Sequence, residues 1–170
     1  MTMENKISTQ KIIPNLWFEK GAEDAVRFYT RVFKDAGIGR MTHYTAEGYE
    51  FHQQQAGTVM TIDFSIEGQH FVALNGGPLF TFNEAISFVI NCKDQEEIDY
   101  YWNRLTEGGD ERAQVCGWLK DKFGVSWQVV PTQLNDMISD PDINKVNRVL
   151  RAMFQMKKLD VAALAAAYES

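Results

Sequence analysis

The chain predicts an α+β fold: two βαβββ modules with curved, antiparallel-rich sheets, followed by C-terminal helices. Three observations predict it. The segment Gly117-Trp118-Leu119-Lys120-Asp121-Lys122-Phe123-Gly124-Val125-Ser126-Trp127-Gln128-Val129-Val130-Pro131 reads as two strands around a turn. A strand–helix pattern near residue 14 returns 73 positions later. Beyond Leu134 the pattern changes to the three- and four-residue spacing of helices.

In the hairpin, Asp121 and Gly124 occupy the first and fourth positions of a type I turn, where those residue types are favoured. The strand after it alternates Val125, Trp127 and Val129 with Ser126, Gln128 and Val130, so one face is apolar and the other carries Gln128. The first module opens with a buried strand over 12–18. A helix follows with Ala22, Ala25, Val26, Tyr29, Val32 and Phe33 on one face. Strands are expected at 39–45, 58–66 and 69–75. The middle one sets Met60, Ile62, Phe64 and Ile66 against Thr61, Asp63 and Ser65, and Glu67-Gly68 supplies its turn.

The second module repeats the order. A strand over 85–91 precedes a helix with Ile98, Tyr101, Trp102 and Leu105 on one face, ended by Gly108-Gly109. Strands at 111–116, 117–120 and 125–130 complete it. The repeat is one of pattern, not of residue identity. The tail has Asp140 as an N-cap with Pro141 at the first helical position. Val146, Val149, Leu150, Met153 and Phe154 then share a face, and Asp160 caps a last Ala-rich helix. That Met and Phe stripe reads as packing rather than as a partner groove. The divisions are therefore a tail at 1–9, modules at 10–80 and 81–133, and a helical extension at 134–170.

At 170 residues and 45% hydrophobic composition, the chain can bury a sizeable core. A net charge of −6 without a basic stripe argues against nucleic acid. The first ten residues lack the apolar stretch of a secretory signal, and no run of 18 apolar residues suggests a membrane span. Two cysteines, Cys92 and Cys116, fit a reducing compartment, the cytoplasm. Cys92 reads as an inert core thiol. Cys116 is the candidate for a thiol at a pocket rim, without a histidine near it in sequence.

Paired βαβββ modules resemble the vicinal oxygen chelate superfamily, which includes glyoxalase I and the bleomycin-resistance proteins. Within it the chain resembles a bacterial branch named for 3-demethylubiquinone-9 3-methyltransferase. The resemblance covers nearly the whole chain. It rests on Gly76-Gly77-Pro78, on the motif from Phe82 to Phe88, and on Asp94-Gln95-Glu96-Glu97-Ile98. The hairpin from Asp121 to Gln128 and the motif from Met153 to Asp160 complete it. The resemblance implies that the two curved sheets make one cavity. In metal-using members two histidines and two carboxylates come from the first and last strands of the modules. Carried over by strand, these positions fall on Pro14, Asn75, Ser87 and Gln128. None of them is a histidine or a carboxylate, so no metal and no other cofactor is expected. Amide and hydroxyl groups at the old metal site can instead hydrogen-bond a carbonyl, hydroxyl or amide of a small organic ligand. The resemblance also implies a homodimer.

Two functions follow. One is a binding or sequestering module, as in the bleomycin-resistance proteins. The other is a metal-independent enzyme with Gln128, Ser87 and Asn75 orienting a substrate and Glu84 as its base. Methyl transfer from S-adenosylmethionine finds no support: the only G-x-G, Gly37-Ile38-Gly39, follows a helix and precedes a strand, and reads as a helix C-cap and turn. His43 and His52 would lie on neighbouring strands with Glu50 between them. They read as ordinary exposed residues before they read as a metal site, and His70 reads as a solvent-facing strand start.

Overall fold

The computed structural model describes residues 10–170; the tail expected at 1–9 lies outside them. The described chain divides into two compact units at Thr81 and Phe82.

In the first unit, the apolar alternation of Val59–Ile66 does what its period requires. Ile62, Phe64 and Ile66 are buried while Thr61, Asp63 and Ser65 are not. This strand, β3, lies in a four-stranded sheet of order β1-β4-β3-β2, with β1 at Asn15–Phe18, β2 at Ala36–His43 and β4 at Gln69–Asn75. β1 runs parallel to β4, and the other two pairings are antiparallel. Helix α1, Ala22–Val32, buries the side predicted for it: Ala22, Ala25, Val26, Tyr29 and Val32, with Phe33 just beyond. Tyr29 stacks on Phe64 with ring centroids 6.2 Å apart, so the Ile62, Phe64 and Ile66 face is the helix side of the sheet. A second, four-residue helix α2 (Tyr49–His52) interrupts the link from β2 to β3.

In the second unit, β5 (Phe88–Cys92), α3 (Gln95–Leu105), β6 (Trp118–Lys120) and β7 (Ser126–Pro131) form a three-stranded sheet of order β5-β7-β6 with one helix against it. Asp94 caps α3 by accepting a hydrogen bond from the Glu97 backbone N–H. The helix buries Ile98, Tyr101, Trp102 and Leu105. The α+β class and the two modules stand, but the second sheet has one strand fewer than expected. Residues Glu111–Ala113 form a short 3-10 helix capped by Asp110, and only Val115 bridges to Trp118. Asp110, followed by charged and turn-prone residues, gives this stretch a local hydrogen-bonding alternative to a ladder.

Other expectations need correction. The opening strand starts at Asn15, leaving Ile12 and Ile13 exposed, and β5 starts at Phe88, leaving Ile86 exposed. Apolar residues alone did not mark where a ladder partner begins. Gly37 and Gly39 lie inside β2, beside an irregularity in its pairing with β3, and form no helix cap. The cap of α5 (Ile143–Met153) is Asp142, whose side chain accepts from the Asn144 N–H; Asp140 precedes it and accepts from the Asp142 N–H.

The C-terminal part adds α4 (Gln133–Ile138), α5 and α6 (Val161–Glu169). Leu134, Val149, Leu159 and Leu164 are buried together, with Val130 of β7, Met137, Met153, Met156 and Tyr168 against them. Met153 is therefore packing, as its stripe suggested. Phe154, at the helix end, is exposed. Among the described residues, no helix is long and apolar enough to cross a membrane.

Candidate functional site

Strand phase decides which side chains a ligand can meet. Side chains alternate across a sheet, so each strand gives one set to its helix and the other to the open side. In the first unit Leu16 and Phe18 are buried in phase with the helix side. Pro14 shares their phase and lies just outside the strand, its carbonyl accepting from the Val72 N–H. Trp17 takes the open side. Its Nε1–H donates to the Gly77 carbonyl (2.9 Å), and its ring meets Phe80 edge-on at 5.0 Å. Gly76 explains part of the Gly76-Gly77-Pro78 motif, because a Cβ there would collide with the Trp17 ring.

Asn75 ends β4 on the helix side, in phase with the buried Phe71 and Ala73. Its Oδ1 accepts from the Ala22 N–H at 2.9 Å, which caps α1 from a distant strand. Its Nδ2 donates to Glu23 and to the Val59 carbonyl, and its own carbonyl accepts from the Tyr44 hydroxyl. Both ends of the amide are occupied within the protein.

The second sheet is arranged differently. Leu119, Trp127 and Val129 are buried, and Phe88 contacts the Trp127 ring at 5.4 Å. The Asp121 carboxylate locks the hairpin below them. It accepts from the Phe123 and Val125 N–H groups and from Trp127 Nε1, while the Gly124 N–H closes the turn onto the Asp121 carbonyl. The alternate set takes the other side. The ladder registers Val89 with Gln128, and Gln128 with Trp118, in one row. Val89 is 52% exposed, and Gln128 and Trp118 are half-buried. Gln128 Nε2 donates to Ser87 Oγ at 2.9 Å. The structure thus joins two of the four candidate positions, Ser87 and Gln128, and holds Asn75 in a helix cap.

Glu84 forms an ion pair with Lys120. The hydrogen bond from Lys120, aided by its charge, lowers the Glu84 pKa below the usual carboxylate range, which makes it a weaker base than a free glutamate. The histidines do not gather. His43 is exposed in β2. His52 lies in α2 rather than in a strand, its ring 4.6 Å from that of Tyr44 and its Nδ1 accepting from the Gln54 N–H. The local Gly48 turn, not the strand pattern, placed it there. His70 is exposed as the second residue of β4. Among the described residues, no three His, Cys, Asp or Glu side chains form a group able to hold a metal ion. The candidate positions offer a proline ring, an occupied amide, a hydroxyl and an amide whose nitrogen already donates, a poor donor set for a divalent cation.

Both cysteines are free thiols. Burial pushes the Cys92 pKa up to about 12, so that thiol stays protonated and inert. Cys116 is half-buried with a left-handed backbone (φ 50°), its N–H donating to the Met156 carbonyl. The sequence reading passed over Ser126, Lys120 and Trp118 as site residues. The alternation that selected Gln128 selects them too, because Ser126 shares its phase and the other two stand across the ladder.

Residues 10–130 match the model of the family described as 3-demethylubiquinone-9 3-methyltransferase. A PhnB protein from Bacillus cereus, bearing the provisional name 3-demethylubiquinone-9 3-methyltransferase, is 33% identical, and the match covers 72% of this chain and 99% of that one with a TM-score of 0.62. Protein PA1353 from Pseudomonas aeruginosa has the same fold at 19% identity, over 72% of this chain and 98% of the other, with a TM-score of 0.55. The fosfomycin resistance protein FosX from Listeria monocytogenes, complexed with Mn(II) and sulfate, matches at 18% identity over 78% of this chain and 97% of its own, TM-score 0.49. No curated protein matches the chain.

Proposed function

The chain belongs to the 3-demethylubiquinone-9 3-methyltransferase family, a branch of the vicinal oxygen chelate superfamily, and from that premise we propose that it binds and sequesters a small, mostly apolar organic molecule without a resident metal. One observation carries the reading. On the open side of the second sheet, the hydrogen-bonded Gln128–Ser87 pair lies in and beside a row with exposed Val89 and half-buried Trp118. The Gln128 carbonyl oxygen and the Ser87 hydroxyl proton supply an acceptor and a donor, and the flanking apolar groups supply contact area. A few placed polar groups among apolar ones are what a small-molecule site requires.

The competing reading, a metal-independent enzyme with Glu84 as base, is weakened by the Lys120 ion pair, which depresses the basicity that role needs. Methyl transfer lacks its nucleotide-binding turn, since Gly37 and Gly39 lie within a strand. We also propose that the protein is a cytoplasmic homodimer, and light scattering on the purified protein tests the dimer.

Mass spectrometry under native conditions tests the main reading. The expected spectrum shows the chain with an organic adduct that Gln128→Leu loses, and elemental analysis shows far less than one metal per chain. A ligand-free protein that also fails to take up a neutral apolar probe sinks the reading. Stoichiometric metal that substitutions at Gln128 and Ser87 abolish also sinks it.

A further inference from the structure

The row next to Val89–Gln128–Trp118 has its own chemistry. The β6–β7 ladder registers Lys120 directly with Ser126. Ser87 immediately precedes Phe88, which pairs with Trp127, so Ser87 stands abreast of Ser126 on the other flank. All three share the phase of Gln128 and face away from α3. Ser126 is 3% exposed, and among the described residues its Oγ is a buried side-chain polar atom without a hydrogen-bond partner. Buried hydroxyls are nearly always satisfied, because one left without a partner forfeits its hydration without return. A hydroxyl kept unsatisfied beside a lysine calls for a partner that arrives from elsewhere.

Lys120 itself is mostly covered, its side chain 23% exposed, and it is already bound to a carboxylate. That carboxylate, Glu84, is 60% exposed and sits in the segment 81–87, which has neither helix nor strand. A mostly covered ammonium is thus matched by an exposed acid on an irregular segment tied to the same row.

Resting on the small-molecule reading above, we propose that Lys120 and Ser126 form an oxyanion subsite beside Gln128 and Ser87, that the Glu84 carboxylate stands in that subsite when it is empty, and that the ligand is an organic acid with an apolar body. The ligand's oxyanion displaces Glu84 from Lys120 and accepts a hydrogen bond from the Ser126 hydroxyl. Its body lies along Val89 and Trp118, with Gln128 and Ser87 taking a further polar group. No covalent step is involved. Glu84 then acts as an internal competitor and sets a threshold that neutral apolar molecules do not face.

The test uses two fluorescent probes with the same aromatic body. One is 8-anilino-1-naphthalenesulfonate, which carries an oxyanion, and the other is N-phenyl-1-naphthylamine, which does not. Each is titrated into wild type, Glu84→Gln, Lys120→Met and Ser126→Ala, with circular dichroism confirming that each variant is folded. Removing the competitor in Glu84→Gln should tighten the sulfonate probe several-fold. Lys120→Met should weaken it about tenfold, the scale of one charge-assisted contact, and Ser126→Ala by a smaller factor. The neutral probe should bind all four proteins alike. The proposal is overturned if both probes shift together, or if Glu84→Gln leaves the sulfonate probe unchanged. If neither probe binds wild type, the small-molecule reading falls and takes the subsite with it. Should Lys120→Met not fold, the Glu84→Gln comparison decides alone.

Discussion

Asn75 and Gln128 occupy matching places, each an amide on the last strand of its module that lies beside the module's first strand. They differ in phase. Asn75 points with Phe71 and Ala73 toward α1 and holds that helix by its first N–H. Gln128 alternates away from Trp127 and Val129 and bonds Ser87 on the open side. The same amide group is a fixture of the core in one unit and part of a candidate site in the other. A one-residue change of phase inverts every side chain of a strand, so residue type at an aligned position says little until the phase is known.

The comparison can be broken or sharpened by substitution. Trp127→Ala should have the largest effect, because it deletes a buried indole packed on Phe88 and removes a donor from Asp121. We expect a loss of about 3–5 kcal/mol in urea unfolding. A loss below about 1 kcal/mol would mean that the helix side of the second sheet is not its core. Asn75→Leu should come next. It strands the Ala22 N–H and removes the donor to Val59, at about 1–3 kcal/mol. Gly76→Ala should cost a similar or smaller amount, about 1–3 kcal/mol, by driving a methyl group into the Trp17 ring, and a shift in indole emission should accompany it. Gln128→Leu should change stability by less than about 1 kcal/mol while abolishing ligand uptake. If Gln128→Leu proves as destabilising as Asn75→Leu, the two amides play the same structural part and the contrast between the units collapses.

The smallest effect concerns the thiols. The folded pKa of Cys92, about 12, lies above the ordinary value of 9.0, so folding favours the protonated form. This contribution is whole below pH 9 and shrinks as the pH rises from there toward about 12. Ellman's reagent at neutral pH should therefore modify Cys116 and spare Cys92 in the folded protein. Equal reaction of both would place Cys92 outside the core.

Much of the architecture was legible in the chain. The helix faces of α1 and α3 and the buried set of β3 followed from periodicity, because an amphipathic element has one way to bury its apolar side. The Asp121–Gly124 turn followed from side-chain chemistry that acts over four residues. The strand starts at Asn15 and Phe88 and the 3-10 helix at Glu111–Ala113 did not follow, since a strand exists only where a partner offers its hydrogen bonds. At the site, alternation alone separated Gln128 from Trp127. Only the tertiary structure showed that Asn75 reaches across to cap α1, that Ser87 meets Gln128 41 residues along the chain, and that Lys120 stands by Ser126 while holding Glu84. These are contacts between segments distant in sequence. Local pattern fixes which face a residue takes, and the register of one strand against another fixes whom it meets there.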